Sequence, residues 1–335
     1  MKTLVTGATG LIGSHLVRAL LRRGDDVRIL RRRDSRLDLL GGAADEVEHA
    51  VGDVTDPDSV FPALAGVDVV FHAAGAVGLN ARRDKARLHN VNAQGTANVV
   101  NAALAAGVRR FVHTSSIAAI GRPDVTHAVI DENAEWVESR RNSEYARSKH
   151  KAEMEVHRGV AEGLDAVVVN PSLVFGAGRD GENTVRILES IRSGRLPGVP
   201  VGGTNVVDVE DVVAGHLLAL DRGERGARYI LGSENLTWRS IVDTISESLG
   251  VSPTRRTINP RLSLFIGHAF DAMSLLPGVR PLITAEIARQ SAATFKYDNA
   301  RARSELGCTF RPFAETISRV VRELYSGLRS NHSIT

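Results

Sequence analysis

Tyr145 and Lys149 stand four residues apart in Tyr145-Ala146-Arg147-Ser148-Lys149. On a helix that spacing brings both side chains to one face. A lysine ammonium beside a phenol favours the ionised form and lowers the tyrosine pKa from its usual value of about 10. A phenol tuned in this way can give or take a proton near neutral pH. Ser116 closes the run Thr114-Ser115-Ser116 after an apolar stretch, where its hydroxyl could hold a substrate oxygen. Asn92 lies early in the preceding helical segment. A Tyr–Lys pair alone is a weak signal, so its meaning depends on what surrounds it.

The surroundings begin at the start of the chain. Thr3-Leu4-Val5-Thr6 runs into Gly7-Ala8-Thr9-Gly10-Leu11-Ile12-Gly13, and Ile12, Leu16 and Leu20 then fall on one helical face. That is strand, tight turn, helix. Backbone N–H groups at such a helix start carry partial positive charge and point outward, and glycine lets the main chain approach a pyrophosphate. The competing reading is a plain βα turn. The position of the three glycines, between a strand and a helix at the head of a βα series, favours a dinucleotide site.

These groups need a frame. Strand-like runs at 26–30, 47–51, 67–71, 110–113 and 166–169 alternate with helical patterns, among them a long one over roughly 86–106 and another over 142–162. Such alternation is the signature of a parallel sheet covered on both faces. Asp56-Pro57 marks a helix start, and Thr237 caps a helix running to Leu249. The predicted fold is α/β: a Rossmann-type doubly wound parallel sheet with a smaller, discontinuous C-terminal substrate lobe. Residues 1–172 make the nucleotide domain, its sheet completed by segments near 205–222. Residues 173–204 and 223–330 make the lobe, and 331–335 are a tail.

Composition excludes several classes. Lys plus Arg exceed Asp plus Glu by only three (42 − 39), and aromatic residues are few. With its basic residues dispersed, the chain does not read as a nucleic-acid binder. The single cysteine, Cys308, suits a reducing compartment, and with no visible signal peptide the expected location is the cytoplasm. The apolar stretch 262–276 is too short to span a bilayer. It reads as a helix lining a pocket, with contact to a membrane surface as the lesser alternative. The eleven histidines show no metal-ligand spacing, so no metal is expected; His113 reads as a satisfied packing residue.

Taken together, the motifs resemble the extended short-chain dehydrogenase/reductase superfamily. The matching blocks are Thr6 to Gly13, Gly52-Asp53-Val54, His72-Ala73-Ala74-Gly75, Asn92 to Thr96, Thr114-Ser115-Ser116, Tyr145 to Lys149, Asn170-Pro171-Ser172, and Val207 to Val212. The resemblance covers nearly the whole chain. Its style is closest to dihydroflavonol reductases and 3-beta-hydroxysteroid dehydrogenases, and it extends to proteins labelled hopanoid-associated sugar epimerases. It implies that Gly7, Thr9, Gly10, Leu11, Ile12 and Gly13 cradle the cofactor pyrophosphate. Asp53 and Val54 would flank the adenine, and Ala73, Ala74 and Gly75 would pass the ribose and phosphates. Thr114, Pro171, Ser172 and Leu173 would border the nicotinamide. Lys149 would bind the nicotinamide ribose and tune Tyr145, while Ser116 and Tyr145 hold the reacting oxygen. It also implies a homodimer through a four-helix contact.

Cofactor choice has a physical handle. NAD enzymes of this fold place an acidic residue at the end of the second strand. Here that position is Arg31, followed by Arg32 and Arg33, and a guanidinium suits a 2′-phosphate. NADP(H) is the expected cofactor, with NAD(H) as the alternative if these arginines are only a solvated edge.

Three functions compete: a reductase or dehydrogenase acting on a ketone or secondary alcohol, a nucleotide-sugar epimerase or dehydratase, and a non-catalytic nucleotide sensor. Ser116, Tyr145 and Lys149, all intact, weigh against the sensor. Ile117, Ala118 and Ala119 after Ser116 lack the acidic groups with which dehydratases eliminate water, and Pro171-Ser172-Leu173-Val174-Phe175-Gly176 departs from the sugar-nucleotide pattern. Asn170 could still serve a sugar nucleotide. Leu264, Phe265, Ile266, Phe270, Met273 and Leu276 could wall the substrate pocket, with Arg179 and Asn183 at its rim. The competing reading for these is ordinary packing.

Overall fold

The computed structural model describes residues 1–78, 81–121, 129–139, 142–180, 182–273 and 284–329. The first half runs β1 (Lys2–Thr6), α1 (Leu11–Arg23), β2 (Asp26–Arg31), β3 (Glu48–Val51), α2 (Pro57–Ala63), β4 (Val69–His72), α3 (Ala81–Leu88), α4 (Gly95–Ala105), β5 (Arg110–Thr114), β6 (Val129–Ile130), α5 (Glu144–Ala161) and β7 (Ala166–Pro171). The second half runs β8 (Leu173–Phe175), α6 (Asn183–Arg192), β9 (Gly203–Asp208), α7 (Val209–Arg222), β10 (Arg228–Leu231), β11 (Glu234–Thr237), α8 (Trp238–Leu249), α9 (Pro260–Met273), α10 (Ala285–Ala292), β12 (Lys296–Tyr297) and α11 (Phe313–Arg329).

The central sheet has seven strands in the order β10-β7-β5-β4-β1-β2-β3, and all its pairings are parallel. Successive side chains on a strand point to opposite faces. Val5, Phe71, Val112 and Val167 accordingly pack with α1 and α7 residues on one face. Their neighbours Leu4, Val70, Phe111 and Val168 join residues of α2, α4 and α5 on the other. Burial on both faces explains why the strands read as unbroken apolar runs. The strand order reverses between β1 and β4, and in open α/β sheets the ligand crevice lies outside the carboxyl ends of the strands at such a point.

Two features differ from the sequence reading. The segment near 205–222 completes the domain through α7, which packs on the sheet, but its strand does not enter that sheet. β9 lies instead between β8 and β11 in a separate three-stranded sheet, and the seventh central strand is β10, from the region assigned to the lobe. The expected single helix over 86–106 is broken by a π-helical turn, His89–Gln94, between α3 and α4. The lobe has its own core, in which Phe175, Leu188, Val206, Ile241, Phe313 and Ile317 gather around β8, β9, α6, α8 and α11.

Candidate active site

The glycine turn after β1 is over-determined by its neighbours. Gly7 has φ of 70°, in the left-handed region, and a Cβ there would lie 2.5 Å from the carbonyl carbon of Ala73. A Cβ on Gly13 would lie 2.2 Å from the Gly7 oxygen. Gly10 N–H donates to the Gly7 carbonyl at 3.0 Å, and Gly10 starts α1 with no side-chain cap. The first-turn N–H groups are therefore left for an anion. At Gly7 and Gly13 only glycine fits, whereas a Cβ on Gly10 would lie 3.4 Å from the Gly7 oxygen, an ordinary contact. Thr9, Leu11 and Ile12 are half-buried around it. Above it passes the chain after β8: a Cβ on Gly176 would come within 3.0 Å of Leu11 Cδ1.

The flanks of the crevice are held by side-chain bonds. Asp53 accepts from the Thr55 N–H and hydroxyl, at 2.9 and 2.8 Å, and so shapes the turn after β3. Val54 is buried, and its carbonyl accepts from Asn98 Nδ2 at 2.9 Å. Along the other side, the Ala74 N–H donates to Thr6 Oγ1 at 3.2 Å. The Thr6 hydroxyl then donates to His72 Nδ1 at 2.7 Å, His72 Nε2–H donates to Thr96 Oγ1 at 2.9 Å, and Thr96 donates to the Asn92 carbonyl at 2.5 Å. Because Thr96 spends its one proton on the Asn92 carbonyl, it accepts from His72 Nε2–H, and the neutral imidazole then takes the Thr6 proton at Nδ1. It ties Ala73, Ala74 and Gly75 to the π-helical turn. Arg31 ends β2 with its Nε donating to His49 Nδ1 at 2.7 Å, while the Arg32 side chain is 63% exposed.

The proton-transfer groups meet where β5, α5 and β7 converge. Ser143 caps α5, accepting from the Ala146 N–H, which places Tyr145 in the first turn. Ser116 Oγ accepts from the Ala118 N–H at 3.2 Å and is hydrogen-bonded to Tyr145. Lys149 is buried one turn later, its Nζ donating to the Thr114 carbonyl at 2.7 Å. The Thr114 hydroxyl in turn meets His216 Nε2 at 2.7 Å. Asn92 is fully engaged: Oδ1 accepts from the Ala76 N–H at 2.6 Å, and Nδ2 donates to the Ala76 carbonyl and to Ser148 Oγ, both at 2.9 Å. It is a tie between the 73–76 turn and α5.

Electrostatics correct one expectation. The Tyr145 pKa is raised, not lowered: burial dominates and the hydrogen bond from Ser116 offsets it only in part. Lys149 carries the shift instead. Its burial pulls it down to about 8, opposed by the Glu153 carboxylate. Glu153 is itself buried, one turn beyond Lys149. It accepts from Asn170 Nδ2 at 2.6 Å, and its other oxygen lies 3.4 Å from the Arg228 guanidinium. Asn170 Nδ2 also donates to the Ser116 carbonyl at 3.0 Å. Asn170 thus faces inward with its amide nitrogen spent, so it does not offer that nitrogen to a sugar. Its Oδ1 and the Ser172 Oγ are buried without a partner at the end of β7. With Pro171 and Leu173, these are the groups beside which the resemblance places the nicotinamide.

Other expected residues fall elsewhere. Arg179 is not a substrate-pocket rim group: its Nε donates to both Asp38 oxygens at 2.8 and 3.0 Å, and NH2 donates to the Arg36 carbonyl at 3.0 Å. It straps the chain after β8 to the loop after β2, across the nucleotide end of the crevice. Phe265 and Met273 do not wall a pocket, being exposed on the outer side of α9, whereas Leu264, Ile266 and Phe270 are half-buried. Leu276 and the side chain of Asn183 lie outside the described residues. His113 is buried with neither ring nitrogen bonded, stacked on His72 at 5.3 Å, so it is not a satisfied packing residue. A cavity of about 730 Å³ is lined by Asp211, Arg311, Arg319 and their neighbours, and it shares no residue with the catalytic groups. Sequence reasoning missed Glu153 and Arg228, because a glutamate four residues from a lysine reads as a surface ion pair.

This geometry, a glycine cradle at a topological switch point and a Ser–Tyr–Lys cluster beside it, is that of a nicotinamide-dependent oxidoreductase of the short-chain dehydrogenase/reductase type. A model of the NAD dependent epimerase/dehydratase family matches residues 3–232, and the chain belongs to that family. It is 37% identical over 313 residues to sterol demethylase protein B of Methylococcus capsulatus, covering 92% of this chain and 93% of the relative. It is 31% identical over 321 residues to 2-alkyl-3-oxoalkanoate reductase of Stenotrophomonas maltophilia, covering 92% and 94%. Among solved structures, gox2253 superposes with a TM-score of 0.82 at 33% identity over 99% of both chains.

Proposed function

We propose that the protein is an NADPH-dependent reductase of a ketone on a largely apolar small molecule. The observation that carries this reading is the Ser116–Tyr145 hydrogen bond beside Lys149, with only Ile117, Ala118 and Ala119, all buried, following Ser116. A proton donor and an oxygen-binding hydroxyl are in place, and this segment supplies no acid for eliminating water. The similarity to proteins named for a sterol and for a 2-alkyl-3-oxoalkanoate supports an apolar substrate.

Bound at the cradle, the reduced nicotinamide would supply the hydride, which passes to the carbonyl carbon. The Ser116 hydroxyl donates a hydrogen bond to the carbonyl oxygen and orients it. Tyr145, held protonated at neutral pH by burial, gives its proton to that oxygen as negative charge develops. Lys149 places a positive charge behind the phenolate that results and is well placed to hold ribose hydroxyls. The net change is ketone plus NADPH plus a proton to secondary alcohol plus NADP⁺. Arg31, with the exposed Arg32 paired to Asp34 at 3.6 Å beside it, offers the 2′-phosphate a guanidinium where a carboxylate would repel it.

The test follows nicotinamide absorbance with a panel of apolar ketones. Tyr145→Phe should lower kcat by about 10²- to 10⁴-fold while NADPH binding persists. Arg31→Asp should weaken NADPH more than NADH, and an equal loss would show that Arg31 does not read the phosphate. Turnover of a UDP- or GDP-sugar without net nicotinamide change would overturn the reductase reading.

A further inference from the structure

Arg228 opens β10, the edge strand beside β7 in the central sheet, and lies in register with Val168. Register partners in a parallel pair point to the same face, so its side chain joins Val168 on the face covered by α5. A guanidinium carries its donors in a fixed planar fork. Here the fork reaches three separate groups. Nε donates to the Glu132 carbonyl at 2.7 Å, NH2 donates to the Ala134 carbonyl at 2.8 Å, and NH1 lies 3.4 Å from the Glu153 carboxylate. The loop that supplies the two carbonyls is tied to β10 a second time, since the Ile230 N–H donates to the Glu132 carboxylate at 2.8 Å.

What the fork holds bears on the proton-transfer groups from two sides. Glu153 is buried one turn beyond Lys149, and its charge opposes the effect of burial on that lysine. The loop carries Trp136, which stacks on His150, the neighbour of Lys149 on α5, with ring centroids 4.2 Å apart and planes at 6°. His150 is also hydrogen-bonded to the Ala119 backbone. A Cβ on Gly121 would run into the Glu135 carbonyl, so the loop lies directly on the segment that follows Ser116. One side chain from the second half of the chain therefore joins the counter-charge of Lys149 to the loop packed on the Ser116 segment.

We propose that Arg228 is a positioning residue, which holds the Glu153 carboxylate behind Lys149 and clamps the 132–136 loop onto the Ser116 segment. It rests on the reductase reading above for what Lys149 and Ser116 then do. The charges near Lys149 fix the sign of the effect. Glu153 and Tyr145 lie on its own helix, His72 comes from β4 and His113 from β5. Burial keeps Tyr145 and both histidines neutral near pH 7, so among these groups Glu153 supplies the counter-charge. His150, on the far side of Glu153, feels both that carboxylate and Arg228. Lys149 and Arg228 thus share one carboxylate. A neutral residue at position 228 leaves it to Lys149 and raises the lysine pKa, whereas a neutral residue at position 153 lowers it. A residue that only pinned the edge strand would do neither.

NMR of the full chain, with lysine labelled with ¹³C at Cε, reads the Lys149 pKa directly; loss of its signal in Lys149→Arg identifies it. No substrate is needed, so a protein that reduces no ketone sinks the reductase reading and leaves this measurement intact. Against the wild-type value of about 8, Arg228→Gln should raise the Lys149 pKa by about 0.5 unit or more, and Glu153→Gln should lower it. Arg228→Lys keeps the charge and loses the planar fork. It should leave Lys149 near its wild-type value while amide hydrogen exchange in residues 132–136 speeds up by at least about tenfold. The proposal is overturned if Lys149 in Arg228→Gln titrates as in wild type or lower. It is equally overturned if Arg228→Lys leaves exchange in the loop unchanged, and that second measurement decides alone if Arg228→Gln fails to fold.

Discussion

Phe111 and Phe265 are the same side chain in opposite circumstances. Phe111 sits on β5 in the middle of the sheet, wholly buried between α2, α4 and α5; Phe265 points away from α9 into the surroundings. The contrast extends to the regions they belong to. Around the sheet, positions are fixed twice, by packing from both faces and by chains of polar bonds such as the one from Ala74 through His72 to Asn92. In the α9–α10 layer one face is fixed by backbone contact at Gly267, while Phe265 on the other is 73% exposed among the described residues. Nucleotide chemistry tolerates little displacement, so it is built where every atom has neighbours on all sides. Apolar area is left unspent only where the packing stops.

This comparison can be broken at several points. The largest effect is expected at the cradle. Gly7→Val adds a branched side chain at positive φ against the Ala73 backbone and should abolish binding of the reduced nicotinamide cofactor in a fluorescence titration. Phe111→Ala should cost about 3–5 kcal/mol by urea denaturation. Acid should act through the buried histidines. Burial lowers His72 to about 3 and His216 to about 4, and lowers His113 well below its ordinary value. Below pH 6.5 the unfolded chain takes up protons that the folded chain refuses. Stability should therefore fall with falling pH between 6.5 and about 4, each histidine adding up to about 1.4 kcal/mol per pH unit. A Tm that is flat from pH 7 to pH 5, in acidic buffers, would contradict this.

Smaller effects should appear behind the reacting groups. Glu153 raises the Lys149 pKa, so Glu153→Gln should move the alkaline limb of the reduction rate, near the Lys149 value of about 8, to lower pH. A purely structural role would change Tm and leave that limb in place. The smallest effect belongs to Phe265. Phe265→Ser should change stability by less than about 0.5 kcal/mol, and a loss of 2 kcal/mol or more (roughly) would mean that the side chain is packed after all.

What the sequence disclosed follows the same division. The glycine turn, the Tyr145 helix and six of the seven central strands were legible because burial on both faces writes long apolar runs, and caps such as Thr237 and Asp56 mark helix starts. The seventh strand was misplaced because Val206-Val207-Asp208 and Tyr229-Ile230-Leu231 read alike, and pairing partners depend on the path of the chain. The sign of the Tyr145 shift was missed for a related reason. Charges can be read from residue types, but the depth at which they are buried cannot. The inward turn of Asn170, the strap from Arg179 to Asp38 and the orphaned His113 all depend on contacts between segments far apart in the chain. The outward face of α9 was read as a pocket wall because an apolar helix looks the same whether it faces a core or the outside.

The π-helical turn at His89–Gln94 has a consequence for how this chain tolerates changes in length. Leu88 directly precedes the wider turn and Asn92 lies within it; both are buried, and Asn92 holds Ala76 and Ser148. An α-helix advances by about 100° per residue, so removing one residue between them and letting the ladder close would swing Asn92 by about a quarter turn. The angular phase between α3 and α4 is therefore set by a single residue of chain length, and a one-residue deletion there would aim the amide away from the crevice while leaving the composition of the helix almost unchanged.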